Sequence, residues 1–130
     1  MSREVLAAVG DMIFASKITG TAAQCRVSVK FVRKLEDLLS EARNEPALIL
    51  LDLNNSRFDA VEAIVRLKAD ESSRLIPITG FLSHVQVDLK NRAEAAGCDT
   101  VMPRSEFSAN LGEILSGEYN RSEKLTSSRR

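Results

Sequence analysis

The chain is poor in the residues on which many chemistries depend. Its 130 residues include no tryptophan, one tyrosine, one histidine, two cysteines and three prolines, and 18 basic side chains balance 18 acidic ones. Zero net charge leaves no bulk field that would gather nucleic acid or a cationic partner. Cys25 and Cys98 lie far apart, and with His84 as the only histidine they cannot build a disulfide framework or a zinc site. They are expected to be small buried hydrophobes in a reducing compartment. No run approaches the roughly 18 apolar residues of a membrane span. The apolar stretch after Met1-Ser2-Arg3-Glu4 closes at Gly10-Asp11, too early for a signal peptide, so a cytoplasmic location is expected. A glycine-rich phosphate loop is also missing, because Gly10 stands alone. His84 has no serine and carboxylate at triad spacing, and its expected place is the rim of a site. The chain is not expected to be an enzyme.

What is present reads as one globular domain, with 44% hydrophobic and 28% charged residues. Val5 to Val9 is a short apolar run that suits a strand buried on both faces. From Met12 to Gln24, Phe14, Ile18 and Ala22 fall four apart and predict a helix. Arg26 to Phe31 alternates with period two, as a half-covered outer strand does. Leu35 to Asn44 returns to helical spacing, and Pro46 punctuates it. Ala47 to Leu53 is the most apolar run, interrupted by Asp52 near its end, and Asn54-Asn55-Ser56-Arg57 is a loop by composition. Asp59 is expected to cap a helix with Val61, Ile64, Val65 and Leu67 on its apolar face. Leu75 to Leu82 predicts a further strand, with Pro77 near its start. Val87 to Ala96 predicts a helix stopped by Gly97, Thr100 to Met102 a short strand, and Ser108 to Ser116 a last short helix. Residues 117–130 carry no apolar period and are expected to be a disordered, slightly basic tail beyond a domain of residues 1–116.

Strand and helix thus alternate five times. Right-handed crossovers then give a doubly wound, flavodoxin-like α/β fold: a five-stranded parallel sheet, order 2-1-3-4-5, with helices on both faces. In that order the first and third strands are neighbours at the topological switch point, where ligands gather at the carboxyl ends of the strands. Asp11, Asp52 and the Asn54 loop should therefore meet. Two carboxylates brought together repel unless a cation lies between them, and magnesium, which takes a few oxygens and keeps its waters, is the expected ion. Asp11 and Asp52 would each supply one oxygen and the Asn54 backbone carbonyl a third. Asp52, held at the end of a rigid strand, is placed as a nucleophile for a phosphoryl group.

At this point the sequence resembles a known family. Leu50-Leu51-Asp52-Leu53-Asn54 is similar to the third strand and following loop of bacterial response-regulator receiver domains of the CheY-like type. Leu67-Lys68-Ala69-Asp70, Ile76-Pro77-Ile78 and Ala95-Ala96-Gly97-Cys98-Asp99 fit the same pattern, and the likeness runs from about Val5 to Leu115. The resemblance implies a phosphorelay role in two-component signal transduction with Asp52 as phospho-acceptor. It also implies a histidine kinase or phosphotransfer protein as partner, and a downstream protein partner. A stand-alone receiver with no DNA-binding domain and no membrane segment is expected. Receivers often pair as homodimers, through the face of their fourth helix, fifth strand and fifth helix.

The chain also departs from that pattern. One place of the family's acidic pair is Asp11, and the other is Gly10, which should weaken magnesium. The family's hydroxyl position falls on Leu82, or on Ser83 if the alignment slips by one. The family's lysine aligns with Arg104, in Pro103-Arg104 rather than Lys-Pro, and the switch aromatic is replaced by Val101. Arg57, beside the site loop, is a further candidate for an anionic group. Two readings result. One is a receiver phosphorylated on Asp52. The other is an atypical, pseudo-receiver variant that acts by protein contact through a face including Asn91, Glu94 and Thr100.

Overall fold

A computed structural model describes residues 3–83 and 86–119. The elements are β1 (Arg3–Ala8), α1 (Met12–Gln24), β2 (Val27–Phe31), α2 (Leu35–Ala42), β3 (Leu48–Asp52), α3 (Ala60–Ala69) and β4 (Ile78–Leu82). They are followed by α4 (Val87–Ala96), β5 (Thr100–Pro103), α5 (Arg104–Ala109) and α6 (Leu111–Ser116). All four strand pairings are parallel, and the sheet order is β2-β1-β3-β4-β5, the doubly wound arrangement expected from the alternation of elements.

Period-two alternation along the strands sends side chains to two separate cores. Val5 and Ala7 of β1 and Leu48 and Leu50 of β3 join Phe14, Ile18 and Ala22 of α1, with Phe107, Leu111, Ile114 and Leu115 of the last two helices. The intervening Leu6, Ala8, Ile49 and Leu51 join Leu38 and Ala42 of α2, Ile64 and Leu67 of α3 and Ala93 of α4 on the other face. By the same alternation Asp52, two residues after Leu50, faces the α1 and α5 side. The register places Phe81 of β4 beside it. Leu82 and Val101 belong to the opposite core, beneath α3 and α4.

Several local expectations are corrected. The strand expected from Leu75 begins at Ile78: Leu75 is exposed, and residues 70–75 form turns closed by the Arg74 N–H donating to the Asp70 carbonyl. Pro77 has no N–H, but its carbonyl accepts from Ile49 N and so prepares the strand. The single helix expected over Ser108 to Ser116 is two, since α5 already starts at Arg104. The chain breaks at Asn110, whose side-chain amide donates to the Glu106 carbonyl. On α3, Val65 is exposed, and Ala60 and Ala63 take the buried places beside Ile64 and Leu67. At the boundary expected after Ser116, Gly117 adopts a left-handed conformation that ends α6. Tyr119 then packs against the α1-side core, its hydroxyl donating to Glu106 at 2.6 Å. Residues 120–130 lie outside the described residues.

Candidate functional site

Three strand ends deliver the site. Asp11 follows β1, Asp52 ends β3, and Arg104 follows β5 as the first residue of α5. All three expected residues meet. Arg104 Nη1 donates to Asp11 Oδ2 at 3.1 Å, and Arg104 Nη2 lies 3.7 Å from Asp52 Oδ2, a Coulombic contact beyond hydrogen-bond reach. Asp52 is buried, its side chain 5% exposed, whereas those of Arg104 and Asp11 are 36% and 41% exposed.

The other carboxylate oxygens are also engaged. Asp11 Oδ1 accepts from the backbone N–H groups of Ile13 and Phe14 at 2.8 and 3.1 Å, so Asp11 is the N-cap of α1. Asp52 Oδ1 accepts from Asn54 N at 2.9 Å. The Phe14 N–H bond and the Arg104 guanidinium together hold the Asp11 carboxyl below the usual carboxylate range.

Beneath the guanidinium lies an aromatic floor. Phe14, Phe81 and Phe107 form a triangle with ring centroids 4.5 to 5.6 Å apart, and all three are buried. The Arg104 Cζ sits 4.8 Å from the Phe14 centroid and 5.7 Å from that of Phe81. Such contacts contribute about 0.5–1 kcal/mol at exposed sites and favour placement of the cation over the ring face. Sequence reasoning missed this floor. The signal was available, since Phe81 alternates in phase with Asp52 once the two strands are paired, but the pairing register is a property of the fold.

Asn54, expected at the site through its backbone carbonyl, is engaged through its side chain. Its side-chain Oδ1 accepts from Ser83 N at 2.9 Å, and its Nδ2 donates to Gln86 Oε1 at 2.9 Å. The loop after β3 is thereby tied to both ends of the connection between β4 and α4. Ser83 is exposed, and Leu82 is 5% exposed in the opposite core. Val101, at the family's aromatic position, is 1% exposed in that same core. Arg57 makes no ion pair with Asp11 or Asp52 and, with Gly10, Met12, Arg33, Ser16 and Phe31, lines a cleft of about 280 Å³. His84 lies outside the described residues.

The donor set can be compared with what a divalent ion needs. Magnesium demands near-octahedral oxygen coordination through one or more carboxylates that are free to face it. Here Gly10 supplies none, and each of the four carboxylate oxygens of Asp11 and Asp52 already faces an N–H donor or the guanidinium. Among the described residues no three histidine, cysteine or acidic side chains cluster as a metal site would. As the side chains are arranged, a divalent ion would have to displace Arg104 to reach both carboxylates.

No family profile matches the chain, and no curated protein matches it in sequence. Solved structures do match in fold. The Vibrio cholerae chemotaxis response regulator CheY4 superposes with a TM-score of 0.78 at 15% identity, over 92% of this chain and all of that one. The phosphorylated cyanobacterial phytochrome response regulator RcpA gives 0.75 at 20% identity over 90% of this chain and 91% of its own. The receiver domain of the sensor histidine kinase PA1611 from Pseudomonas aeruginosa, described with a magnesium ion in its active-site cleft, gives 0.77 at 19% identity over 90% and 97%. The chain therefore has the CheY-like receiver fold. No helix among the described residues is long and apolar enough to cross a membrane.

Proposed function

We propose that this chain is a receiver-type module of two-component signalling that acts by binding protein partners, with its state fixed by packing instead of being switched by phosphorylation of Asp52. The observation that carries this reading is the closure of the site. Asp52 is 5% exposed and faces Arg104 within a bridge that also holds Asp11. Of the positions at which a receiver would report a phosphoryl group, Val101 is apolar and packed in the opposite core, and the hydroxyl position falls on Leu82 in that same core or on exposed Ser83, whose N–H is held by Asn54 Oδ1. An aliphatic side chain has no hydrogen bond to exchange, so a charge arriving at Asp52 finds no pair of alternative rotamers to bias. A partner would dock on the face of α4, β5 and α5, on which Asn91 and Glu94 are exposed and Thr100 is half-buried.

The test is an amide-shift map of the labelled protein with beryllofluoride and magnesium. No displacement at Asp52, Leu82 and Val101 is expected; coupled shifts there would overturn the reading. In parallel, Asp52→Asn should retain the partners captured from the native cell extract, while Asn91→Arg with Glu94→Arg should lose them. Loss with Asp52→Asn would also count against it.

One observation favours a second reading, in which Asp52 is a phospho-acceptor. Arg104 Nη2 stands 3.7 Å from Asp52 Oδ2, and the arginine side chain is 36% exposed, so it has room to swing outward. Asp52 Oδ2 would then attack the phosphorus of a histidine kinase or phosphotransfer partner. The P–N bond breaks, an acyl phosphate forms, and the imidazole leaves and takes up a proton. Intact-mass analysis after incubation with acetyl phosphate separates the two readings: one added phosphoryl group, lost in Asp52→Asn, supports the second.

A further inference from the structure

We infer that the Arg104 guanidinium is the resident cation of this site, occupying the role of a divalent metal, so that the pocket is complete in the absence of any bound ion. The problem to be solved is electrostatic: Asp11 follows β1 and Asp52 ends the neighbouring β3, and two carboxylates so placed need a positive charge between them. Arg104 meets that need with two separate nitrogens, Nη1 on Asp11 at 3.1 Å and Nη2 towards Asp52 at 3.7 Å. A lysine ammonium, a single compact charge, could not span both with distinct N–H groups in one plane.

Three further observations point the same way. The guanidinium carbon lies 4.8 Å from the Phe14 ring centroid and 5.7 Å from that of Phe81, so the cation rests on a buried aromatic floor as well as facing the carboxylates. The remaining oxygens, Asp11 Oδ1 and Asp52 Oδ1, accept from Ile13, Phe14 and Asn54 N–H groups, so an incoming ion would compete with a helix cap and a turn for these and with Arg104 for the other two. The start of α1 adds the positive end of its macrodipole, roughly half a charge, at Asp11. Position 10 completes the argument. A Cβ built on Gly10 meets nothing within 4 Å, and Gly10 has no left-handed φ, so packing does not require glycine there. The absence of a carboxylate at position 10 is therefore not imposed by packing. A site neutralised by arginine has no use for it.

This inference concerns what neutralises the site and is independent of which partner the module binds. It is tested by titrating labelled protein with Mn²⁺, whose paramagnetism broadens nearby amides, and by thermal unfolding with magnesium or with a chelator. The wild type should show no selective broadening at Asp11, Asp52 and Asn54, and its midpoint should not respond to either addition. Gly10→Asp combined with Arg104→Lys should bind Mn²⁺ at least about ten-fold more tightly, with broadening centred on those amides. Arg104→Gln should unfold at a lower temperature and regain part of the loss when magnesium is added. If the wild type binds Mn²⁺ at those amides as tightly as the double variant, the inference is overturned. It is equally overturned if Arg104→Gln folds with an unchanged, magnesium-insensitive midpoint. Should Arg104→Gln fail to fold at any magnesium concentration, the comparison of wild type with the double variant decides alone. Either refutation leaves the Asp52→Asn partner test intact, so failure here is distinguishable from failure of the proposed function.

Discussion

Replacing Gly80 by alanine probes how tightly β3 and β4 are locked beside Asp52. A Cβ at Gly80 would lie 3.0 Å from Cγ, Cδ1 and Cδ2 of Leu53, whereas ordinary contact begins near 3.4 Å. Leu53 is itself 5% exposed, so it must give by several tenths of an ångström inside a packed core. Two effects of opposite sign compete. Gly80 has no left-handed φ, so alanine restricts the unfolded chain and stabilises by about 0.4–1 kcal/mol. Overpacking against Leu53 costs about 1–3 kcal/mol. The second is the larger, and a net loss of about 1–2 kcal/mol is expected. Leu53→Ala alone should cost about 2–5 kcal/mol, through lost burial and the cavity it leaves. In the double variant the new methyl enters that cavity, and the combined loss should fall short of the sum by about 1–2 kcal/mol. Urea unfolding of the four proteins, compared at constant m-value, measures each corner of this cycle. If Gly80→Ala is as stable as the wild type, or if the two losses add within about 0.5 kcal/mol, the close contact does not govern this part of the core.

Three other perturbations have defined outcomes. Asn54→Ala removes the acceptor of the Ser83 N–H and the donor to Gln86, so exchange of the Ser83 amide should quicken while that of the sheet core stays slow; unchanged Ser83 exchange would show that the side-chain clamp is inert. Asp11 is held below its ordinary value of 3.8 by the fold, so its contribution to stability is complete above that value and is lost as pH falls through the lower, folded one. Asp11→Asn should therefore be less stable than the wild type at neutral pH and converge with it in acid; a gap that persists at the lowest pH would mean that charge is not its source. Burial pushes the Cys98 thiol up from 9.0 to about 11, so the folded state keeps a proton that the unfolded chain releases, and stability should decline as pH climbs between those values. Cys98→Ala should flatten that alkaline limb in chemical unfolding, and an unaltered limb would refute the assignment.

Most of the framework was legible before any coordinates. The α1 stripe of Phe14, Ile18 and Ala22, the apolar β3 run and the stop at Gly97 each express a local periodicity or cap, and these survive tertiary packing because they are set within a few residues. Where local signals competed, the reading failed. Leu75-Ile76 looked like strand, but Pro77 and the turns before it left Leu75 in solvent. Ser108 to Ser116 looked like one helix, but the Asn110 break could be recognised only from its hydrogen bond to Glu106.

For the site, the order of elements alone indicated that Asp11, Asp52 and the Asn54 loop would converge, because alternating strands and helices admit very few topologies and the switch point follows from them; Arg104 was expected there only through the resemblance to receiver domains. What only the tertiary structure decided was how their charges are settled. Whether a guanidinium reaches both carboxylates, and which oxygens are already taken by backbone N–H groups, depends on distances of a few ångströms between residues some 40 to 90 positions apart. No local pattern encodes such distances. The same holds for Leu82 and Val101, whose identities were plain in the sequence but whose enclosure in the opposite core comes from strand register. Periodicity specifies which side chains are inward; register and packing specify which of them meet.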